Sequence, residues 1–419
     1  MTSPEGPGAA VTSREPPPVE RFRPTDIDGL DWRELRATCP VSRATTADGA
    51  GVWLVSRYGD IRRVLGGQEF SVSPIDPGRG SGTAEANESI FQDPPEHTRL
   101  RGLVAGPFAV GYVGRYRDAI RRKADALLEA MGAPSGQADV MADFAKPLTM
   151  NVIAEVVGVP EPDRGMFQRL SDQLLVPLSE AQGVVALEGW KQLNDYVRDL
   201  IAQRRRTGGR DGGDLLAHMI RAQEDDGAVD DVELATMVLG LPVAGYVSTA
   251  NAIAVAVRYL LEFGWLGELR AEPPGDPGLR KGFVEEVLRI QSGDNGESMP
   301  RFATTDVRLG DRTIRKGDTV VAPLVAANRD DELFERPDTF DPRRPGPARH
   351  LAFGFGIHRC VGANLARLEL QVALDALVEC DRDFRMLEDW KAVPWKVNML
   401  GDRFPERMTV GVATRNGRV

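Results

Sequence analysis

The stretch that most constrains this chain is 353–367, where a glycine-rich loop carries a cysteine and leads into a run with helical apolar spacing. Cys360 stands just before that run, so the partial positive charge of a helix N-terminus would favour its thiolate form. Gly354 and Gly362 lack a Cβ, which lets the chain turn around the sulfur and lie flat against a planar ligand. Phe353 would cover one side. A shielded thiolate of this kind suits an iron ligand, and Cys360 is the candidate.

The residues alone leave a second interpretation of Cys360 equally open, because many intracellular cysteines are small buried residues beside a turn. The order Phe-Gly-x-Gly-x-His-x-Cys-x-Gly, followed by Leu-Ala-Arg, resembles the haem-ligand signature of the cytochrome P450 family and its soluble bacterial members. Every fixed position of this long signature is filled, and the resemblance extends over residues from about 90 to 410. It implies haem b as the cofactor and Cys360 as the ligand of its iron.

The resemblance also implies a mainly α fold with small antiparallel β-sheets. Apolar periodicity agrees, because the region 115–265 consists of successive helical patterns separated by glycine and proline. The predicted helices there are 116–131, 147–157, 163–175, 186–206 and 214–224. Alternating residues with turn signals predict strands within 299–324 and a strand pair within 395–410.

Composition limits the domain organisation, the location and the partners. A chain of 419 residues exceeds the usual size of one core, but the sequence shows no seam between domains. We therefore predict a single domain over 25–419, preceded by a disordered Pro- and Gly-rich tail at 1–24 that is no signal peptide. The net charge of −10 offers no general basic surface for nucleic acid. Three cysteines fit a reducing cytoplasm better than a disulfide framework.

One uncharged segment, 234–257, has the length of a membrane span. Gly240, Pro242 and Asn251 interrupt it, and nothing else in the chain is membrane-like. The sequence therefore predicts a long buried helix here and no membrane partner.

His97 and Arg101 lie four residues apart after Asp-Pro-Pro, so they share one face of a predicted helix that Asp93 would cap. Such a face could grip paired carboxylates, although a solvated basic face is the commoner reason for this spacing. The resemblance favours the first interpretation, since Asp-Pro-Pro-x-His-x-x-x-Arg matches the family's propionate-binding helix. It implies that Arg301 and His358 are further propionate donors.

Glu286 and Arg289 lie three residues apart on another predicted helix, a spacing that any surface helix can carry. The resemblance implies that both join Arg344 in a network that supports the haem-binding loop from behind. Their predicted role is structural and not chemical.

The segment 342–367 contains no acidic residue, although the chain as a whole is acidic. Its arginines are Arg343, Arg344, Arg349, Arg359 and Arg367. This local basic cluster could dock an acidic electron donor. The predicted donor is a ferredoxin that receives its electrons from a reductase. Alternatively, these arginines bind the propionates and support the fold.

The central helix departs from the family pattern, because Ala-Gly-Tyr-Val-Ser-Thr at 244–249 replaces Ala-Gly-x-acid-Thr. In the family the acid and the alcohol relay protons during oxygen activation. Valine cannot donate a proton, so Ser248 and Thr249 remain as catalytic candidates without an acid. The residues predicted to line the substrate pocket in this helix are Ala244, Gly245 and Val247.

Asp294 and Asn295, in an unusually polar loop, and Met399, at a hairpin tip, complete the predicted substrate pocket. The missing acid suggests that the substrate or this loop supplies protons. We therefore predict a monooxygenase of secondary metabolism that uses O₂ and two electrons on a polar, aromatic small molecule. Oxidative coupling of aromatic rings and peroxide-driven oxidation are alternative reactions. A non-catalytic haem-thiolate sensor is the alternative class of protein.

Overall fold

A computed structural model describes residues 19–22, 30–46, 49–73, 92–133, 135–174, 180–208, 212–227, 229–272, 278–291, 300–346, 349–397 and 403–415. The helices are α1 (Trp32–Thr38), α2 (Tyr58–Gly66), α3 (Glu96–Ala105), α4 (Val110–Val113), α5 (Arg117–Ala130), α6 (Lys146–Val157), α7 (Arg164–Leu174), α8 (Glu180–Arg206), α9 (Leu215–Asp226), α10 (Asp231–Glu262), α11 (Trp265–Ala271), α12 (Gly278–Gln291), α13 (Leu324–Asn328) and α14 (Ala363–Glu379). The strands are β1 (Val19–Phe22), β2 (Val41–Thr46), β3 (Gly51–Val55), β4 (Phe70–Ser71), β5 (Gln137–Asp139), β6 (Arg301–Ala303), β7 (Val307–Leu309), β8 (Arg312–Ile314), β9 (Thr319–Val321), β10 (Arg382–Met386), β11 (Trp395–Val397), β12 (Arg403–Pro405) and β13 (Thr409–Thr414).

In the described residues, the strands form one six-stranded sheet and three smaller sheets. The largest has the order β1-β2-β3-β9-β6-β4, and the others are β10-β13-β5, β11-β12 and β7-β8. Most neighbours pair antiparallel, as predicted, but β1 lies parallel to β2 and β9 parallel to β3. The pairing of β6 with β9 and β4 places Arg301 opposite Val320 and its neighbour Phe302 opposite Ser71.

The central helix α10 organises the larger hydrophobic core. Asp230 caps it through a capping box. The Asp230 carboxylate accepts from the Glu233 N–H at 2.8 Å, and the Glu233 carboxylate accepts from the Asp230 N–H at 3.1 Å. The helix packs against α6, α8, α12 and α14. Although α10 is long and apolar enough to cross a membrane, 72% of its most apolar window is buried. The prediction of a buried core helix is therefore confirmed.

The structure confirms the predicted helices of the region 115–265 and moves some boundaries. Helix α8 begins at Glu180, six residues before its predicted start, and α10 extends the uncharged segment at both ends. The added ends of α10 contain charged residues such as Asp231 and Glu262, which are compatible with helical geometry, so the uncharged segment alone underestimates the length of this helix.

Two expectations near the N-terminus need correction. Val19–Phe22, assigned to a disordered tail, form β1 because they pair with the edge of β2. Asp93 does not cap α3, since its carboxylate accepts from the Ser71 hydroxyl and, at 3.2 Å, from the Val72 N–H. Residues 1–18 lie outside the described residues, and the division into a tail and one domain otherwise stays a prediction.

Candidate active site

The cysteine loop, residues 352–362, contains a short 3₁₀ turn, Gly356–His358, and leads into the start of α14. The Cys360 N–H donates to the Phe353 carbonyl at 2.8 Å, which closes the loop, and Cys360 itself is exposed. Gly356 has φ +78°, and a Cβ there would lie 2.7 Å from the Leu65 carbonyl oxygen. Glycine is therefore required where the loop crosses the end of α2, a long-range reason that the sequence did not show.

The two glycines predicted to shape this loop contribute in different ways. Gly354 has φ +68° and donates from its N–H to the Leu351 carbonyl at 2.7 Å, so it is needed for a left-handed turn. A Cβ at Gly362 would lie 3.9 Å from the Cys360 Sγ. That distance is an ordinary contact, so Gly362 mainly keeps the surroundings of the sulfur open.

Four basic side chains predicted to bind propionates come together beside the loop. His97 and Arg101 lie on α3, Arg301 begins β6, and His358 ends the 3₁₀ turn. The rings of His97 and His358 are 4.4 Å apart between centroids. His97 is 3% exposed, yet neither of its ring nitrogens has a hydrogen-bond partner in the described residues, and the same holds for the His358 Nε2. Buried nitrogens of this kind need a hydrogen-bond partner.

The electrostatics of these four residues suit an anion. Burial, and then the neighbouring His97 and Arg301, lower the pKa of His358 to about 4. Burial and then Arg101 lower the pKa of His97, and burial lowers the pKa of Arg101 and of Arg301. A bound dicarboxylate would relieve the repulsion and satisfy the nitrogens. The four residues therefore fit the two propionates of a haem group, and Cys360 would hold its iron.

The predicted structural network is present. Glu286 accepts two hydrogen bonds of 2.8 Å from Arg289 and one of 3.1 Å from Arg344, and the side chains are 0%, 0% and 6% exposed. Arg289 also donates to the Asn328 carbonyl at 2.7 Å, and the Asn328 Oδ1 accepts from the Leu351 N–H at 2.6 Å. The network thus reaches the backbone of the segment that precedes the cysteine loop.

A second buried cluster was not anticipated from the sequence. Glu285 of α12, His350 and Arg367 of α14 are joined by hydrogen bonds of 2.7 to 3.1 Å. Two residues of this cluster lie in motifs noted in the sequence: Glu285 precedes Glu286, and Arg367 ends the Leu-Ala-Arg triplet. Nothing in their local spacing indicated that they meet, because they come from distant parts of the chain.

The two candidate alcohols of α10, Ser248 and Thr249, lie on different faces of the helix. Ala244 is exposed and Gly245 and Ser248 are partly exposed, whereas Val247 is 1% and Thr249 is 6% exposed. Ser248 therefore shares the open face with Ala244, while Thr249 points into the protein. The predicted pocket position of Val247 is contradicted, because its side chain belongs to the hydrophobic core. The Ser248 hydroxyl donates to the Ala244 carbonyl at 2.8 Å.

Three predicted pocket residues, Asp294, Asn295 and Met399, lie outside the described residues. Their contribution to the pocket stays a prediction.

The predicted docking cluster is smaller than the sequence suggested. Arg344 and Arg367 are paired with the buried carboxylates of Glu286 and Glu285, and Arg343 reaches Glu268 at 3.1 Å. Arg349 and Arg359 are exposed. The alternative interpretation, in which these arginines support the fold, therefore holds for Arg344 and Arg367.

Sequence and structure comparisons relate this chain to known proteins. The family model "Cytochrome P450" matches residues 279–387. The 20-oxo-5-O-mycaminosyltylactone 23-monooxygenase of Streptomyces fradiae is 38% identical over 354 residues, which cover 83% of this chain and 81% of that protein. The cytochrome P450 monooxygenase PikC of Streptomyces venezuelae is 40% identical over 354 residues, or 83% and 82% of the two chains. The LnmA cytochrome P450 hydroxylase from the leinamycin pathway of Streptomyces atroolivaceus superposes with a TM-score of 0.80, at 34% identity over 91% of this chain and 95% of that chain.

The mainly α fold and the basic cluster beside Cys360 fit a haem protein. This chain belongs to the cytochrome P450 family. It is a cytochrome P450 monooxygenase with haem b as its cofactor, and its relatives belong to bacterial secondary-metabolite pathways. Bacterial members of the family take electrons from redox partners. The comparisons give no support to a polar aromatic substrate, and they do not favour coupling, peroxide-driven oxidation or a sensor.

Proposed function

We propose that this monooxygenase hydroxylates a bulky, largely aliphatic secondary metabolite such as a macrolactone. The observation that carries the proposal is the open face of α10, where Gly240, Ala244 and Ser248 follow one another at four-residue spacing. Small side chains at these positions leave room for a large molecule. The names of the relatives, one acting on a mycaminosyltylactone and another called a hydroxylase, support this reaction type.

The residues of the site would have separate roles in binding the haem. Cys360 would hold the iron, and His97, Arg101, Arg301 and His358 would hold the propionates. Each charge-assisted contact contributes roughly 1.5 to 3 kcal/mol to haem retention. When bound, the haem supplies the activation of O₂ with two electrons and two protons.

The test is a panel of macrolactones and polar aromatic compounds screened for a shift in the ferric haem spin state. We expect a macrolactone to shift it, and turnover under ¹⁸O₂ to yield a product with one labelled oxygen. Shifts caused by aromatic compounds alone would contradict the proposed substrate class. A product that lacks two hydrogens and contains no new oxygen would instead indicate coupling.

Ser248 is proposed as the alcohol that positions water for proton delivery. Its hydrogen is donated to the Ala244 carbonyl, so the hydroxyl oxygen remains free to accept a hydrogen bond from water on the open face. Val247 cannot replace the missing acid, because it lies in the core and has no polar group. The substrate's own polar groups are the proposed source of further protons.

Ser248→Ala and Thr249→Val test this assignment as a matched pair, because each removes one hydroxyl from the same helix. Ser248→Ala should lower the product formed per electron by roughly tenfold or more, the range of a lost proton-transfer group. Thr249→Val should leave this ratio near that of the parent. Loss of coupling in Thr249→Val alone would assign the role to Thr249 and refute the proposal.

The electron donor is proposed to be an acidic ferredoxin that receives its electrons from a reductase. We propose that this electron transfer takes place in the cytoplasm. Supporting residues lie around the cysteine loop, where Arg349 and Arg359 are exposed and Arg62 stacks on Phe355 at 4.2 Å. Ile357, 52% exposed, adds an apolar contact at the same loop. In a chain of net charge −10 such a positive area would steer an acidic protein.

Arg359→Glu should slow reduction by a ferredoxin roughly tenfold at low salt and less at high salt, because the contribution is electrostatic. Arg198→Glu, on an exposed position of α8, is the matched charge reversal. Equal slowing in both variants would show that only net charge matters and would contradict a docking site at the loop.

A further inference from the structure

The cluster of Glu285, His350 and Arg367 lies behind the cysteine loop and has no assigned role. The Glu285 carboxylate accepts from the Arg367 Nε at 2.7 Å and from its Nη2 at 3.1 Å. The His350 Nε2 lies 3.0 Å from the same carboxylate. Glu285 and His350 are almost completely buried, so they form a closed polar group inside the protein.

The hydrogen bonds determine which nitrogen of His350 carries the proton. The Ala352 N–H donates to the His350 Nδ1 at 3.1 Å, so Nδ1 must be an acceptor. A neutral imidazole then has its hydrogen on Nε2, which donates it to Glu285. The carboxylate, already paired with Arg367, thereby orients the imidazole that holds the Ala352 backbone.

The cluster also contacts Phe353, the residue that follows Ala352 in the loop. The Arg367 guanidinium carbon lies 4.5 Å from the centre of the Phe353 ring, a cation–π contact. The Phe353 carbonyl accepts the Cys360 N–H at 2.8 Å. The cluster therefore holds both the Ala352 backbone and the Phe353 ring, and a single hydrogen bond connects that segment to the candidate ligand.

The geometry points to His350, supported by Glu285 and Arg367, as a positioning residue for the Cys360 thiolate. It fixes the loop backbone at Ala352, and this position determines which N–H groups can face the sulfur. Hydrogen bonds to a ligating thiolate set its basicity and its electron donation, so a looser loop favours protonation to a thiol. This inference rests on the proposed role of Cys360 as ligand.

Replacing His350 by asparagine or by glutamine distinguishes its contact with the Ala352 N–H from its contact with Glu285. The Oδ1 of asparagine can occupy the place of Nδ1 and accept from Ala352, but its amide does not reach Glu285. The longer side chain of glutamine can reach Glu285 but has no acceptor in the place of Nδ1. Only His350→Asn therefore keeps the contact with the loop.

The measured quantity is the fraction of haem-loaded protein whose ferrous carbon monoxide complex has thiolate-type absorption. His350→Gln should lower the ratio of thiolate to thiol forms about fivefold, as expected for the loss of one hydrogen bond. His350→Asn should stay near the parent. Arg367→Lys, which keeps a charge beside Glu285 but loses the planar stacking on Phe353, should give an intermediate ratio.

Tyr246→Phe is the control for general loosening, because it removes a hydrogen bond of 3.0 Å from a fully buried hydroxyl to Asp172, in a contact between α10 and α7. It should leave the thiolate fraction unchanged. Parent-like fractions in every His350 variant, or an equal loss in Tyr246→Phe, would overturn the inference. A parent protein without any thiolate absorption would refute the ligand assignment itself, and with it the role of the cluster.

Discussion

Replacement of Glu286 by glutamine should destabilise the protein far more than loss of an exposed ion pair. Glu286 accepts hydrogen bonds from Arg289, from Arg344 and, at 3.0 Å, from the Asp341 N–H. Glutamine is nearly isosteric but neutral, so two buried guanidinium groups would lose their counter-charge. Breaking one side of a buried ion pair costs about 3 to 5 kcal/mol, and we expect a loss in this range.

The assay is urea unfolding of the haem-loaded protein, with Glu262→Gln as the matched control. Glu262 pairs with Arg258 at 2.7 Å, but its side chain is 37% exposed, so its loss should cost about 0.3 to 0.5 kcal/mol. A loss below about 1 kcal/mol in Glu286→Gln, close to that of the control, would show that water or relaxation compensates the buried charges. The structural role of the network would then be refuted.

Three further predictions concern the ligand, the propionates and acid stability. Cys360→Ser should abolish thiolate absorption and turnover, whereas Cys39→Ser should preserve both; thiolate absorption that survives in Cys360→Ser would disprove the assignment. The His97→Ala, Arg101→Ala double variant should lose haem on dilution while retaining its helical circular dichroism, and normal haem content would contradict the propionate roles. Burial would raise the pKa of Glu285, but hydrogen bonds from its partners lower it from 4.5 to about 2, so its stabilisation is complete above pH 4.5 and disappears as the pH falls toward 2. Glu285→Gln should therefore remove up to about 3 kcal/mol of the pH dependence in that range, measured by denaturant unfolding at each pH.

The sequence by itself determined the features that depend on local spacing. The long signature around Cys360 pointed to the family and predicted a haem-ligand loop, and apolar periodicity predicted most helices within a few residues. The spacing of Glu286 and Arg289 placed both on one helix face, where the structure has them. Each of these features depends on residues a few positions apart, and helical geometry is the same wherever the helix lies.

Only the tertiary structure decided which alcohol of the central helix faces the open side and which residues support the loop. Ser248 and Thr249 are adjacent in sequence, and the packing of α10 alone makes one partly exposed and the other buried. Glu285 meets His350 and Arg367 across 65 and 82 positions of sequence. A carboxylate can be buried only where several donors converge on it, and that convergence arises from the packing of distant segments, which local spacing does not specify.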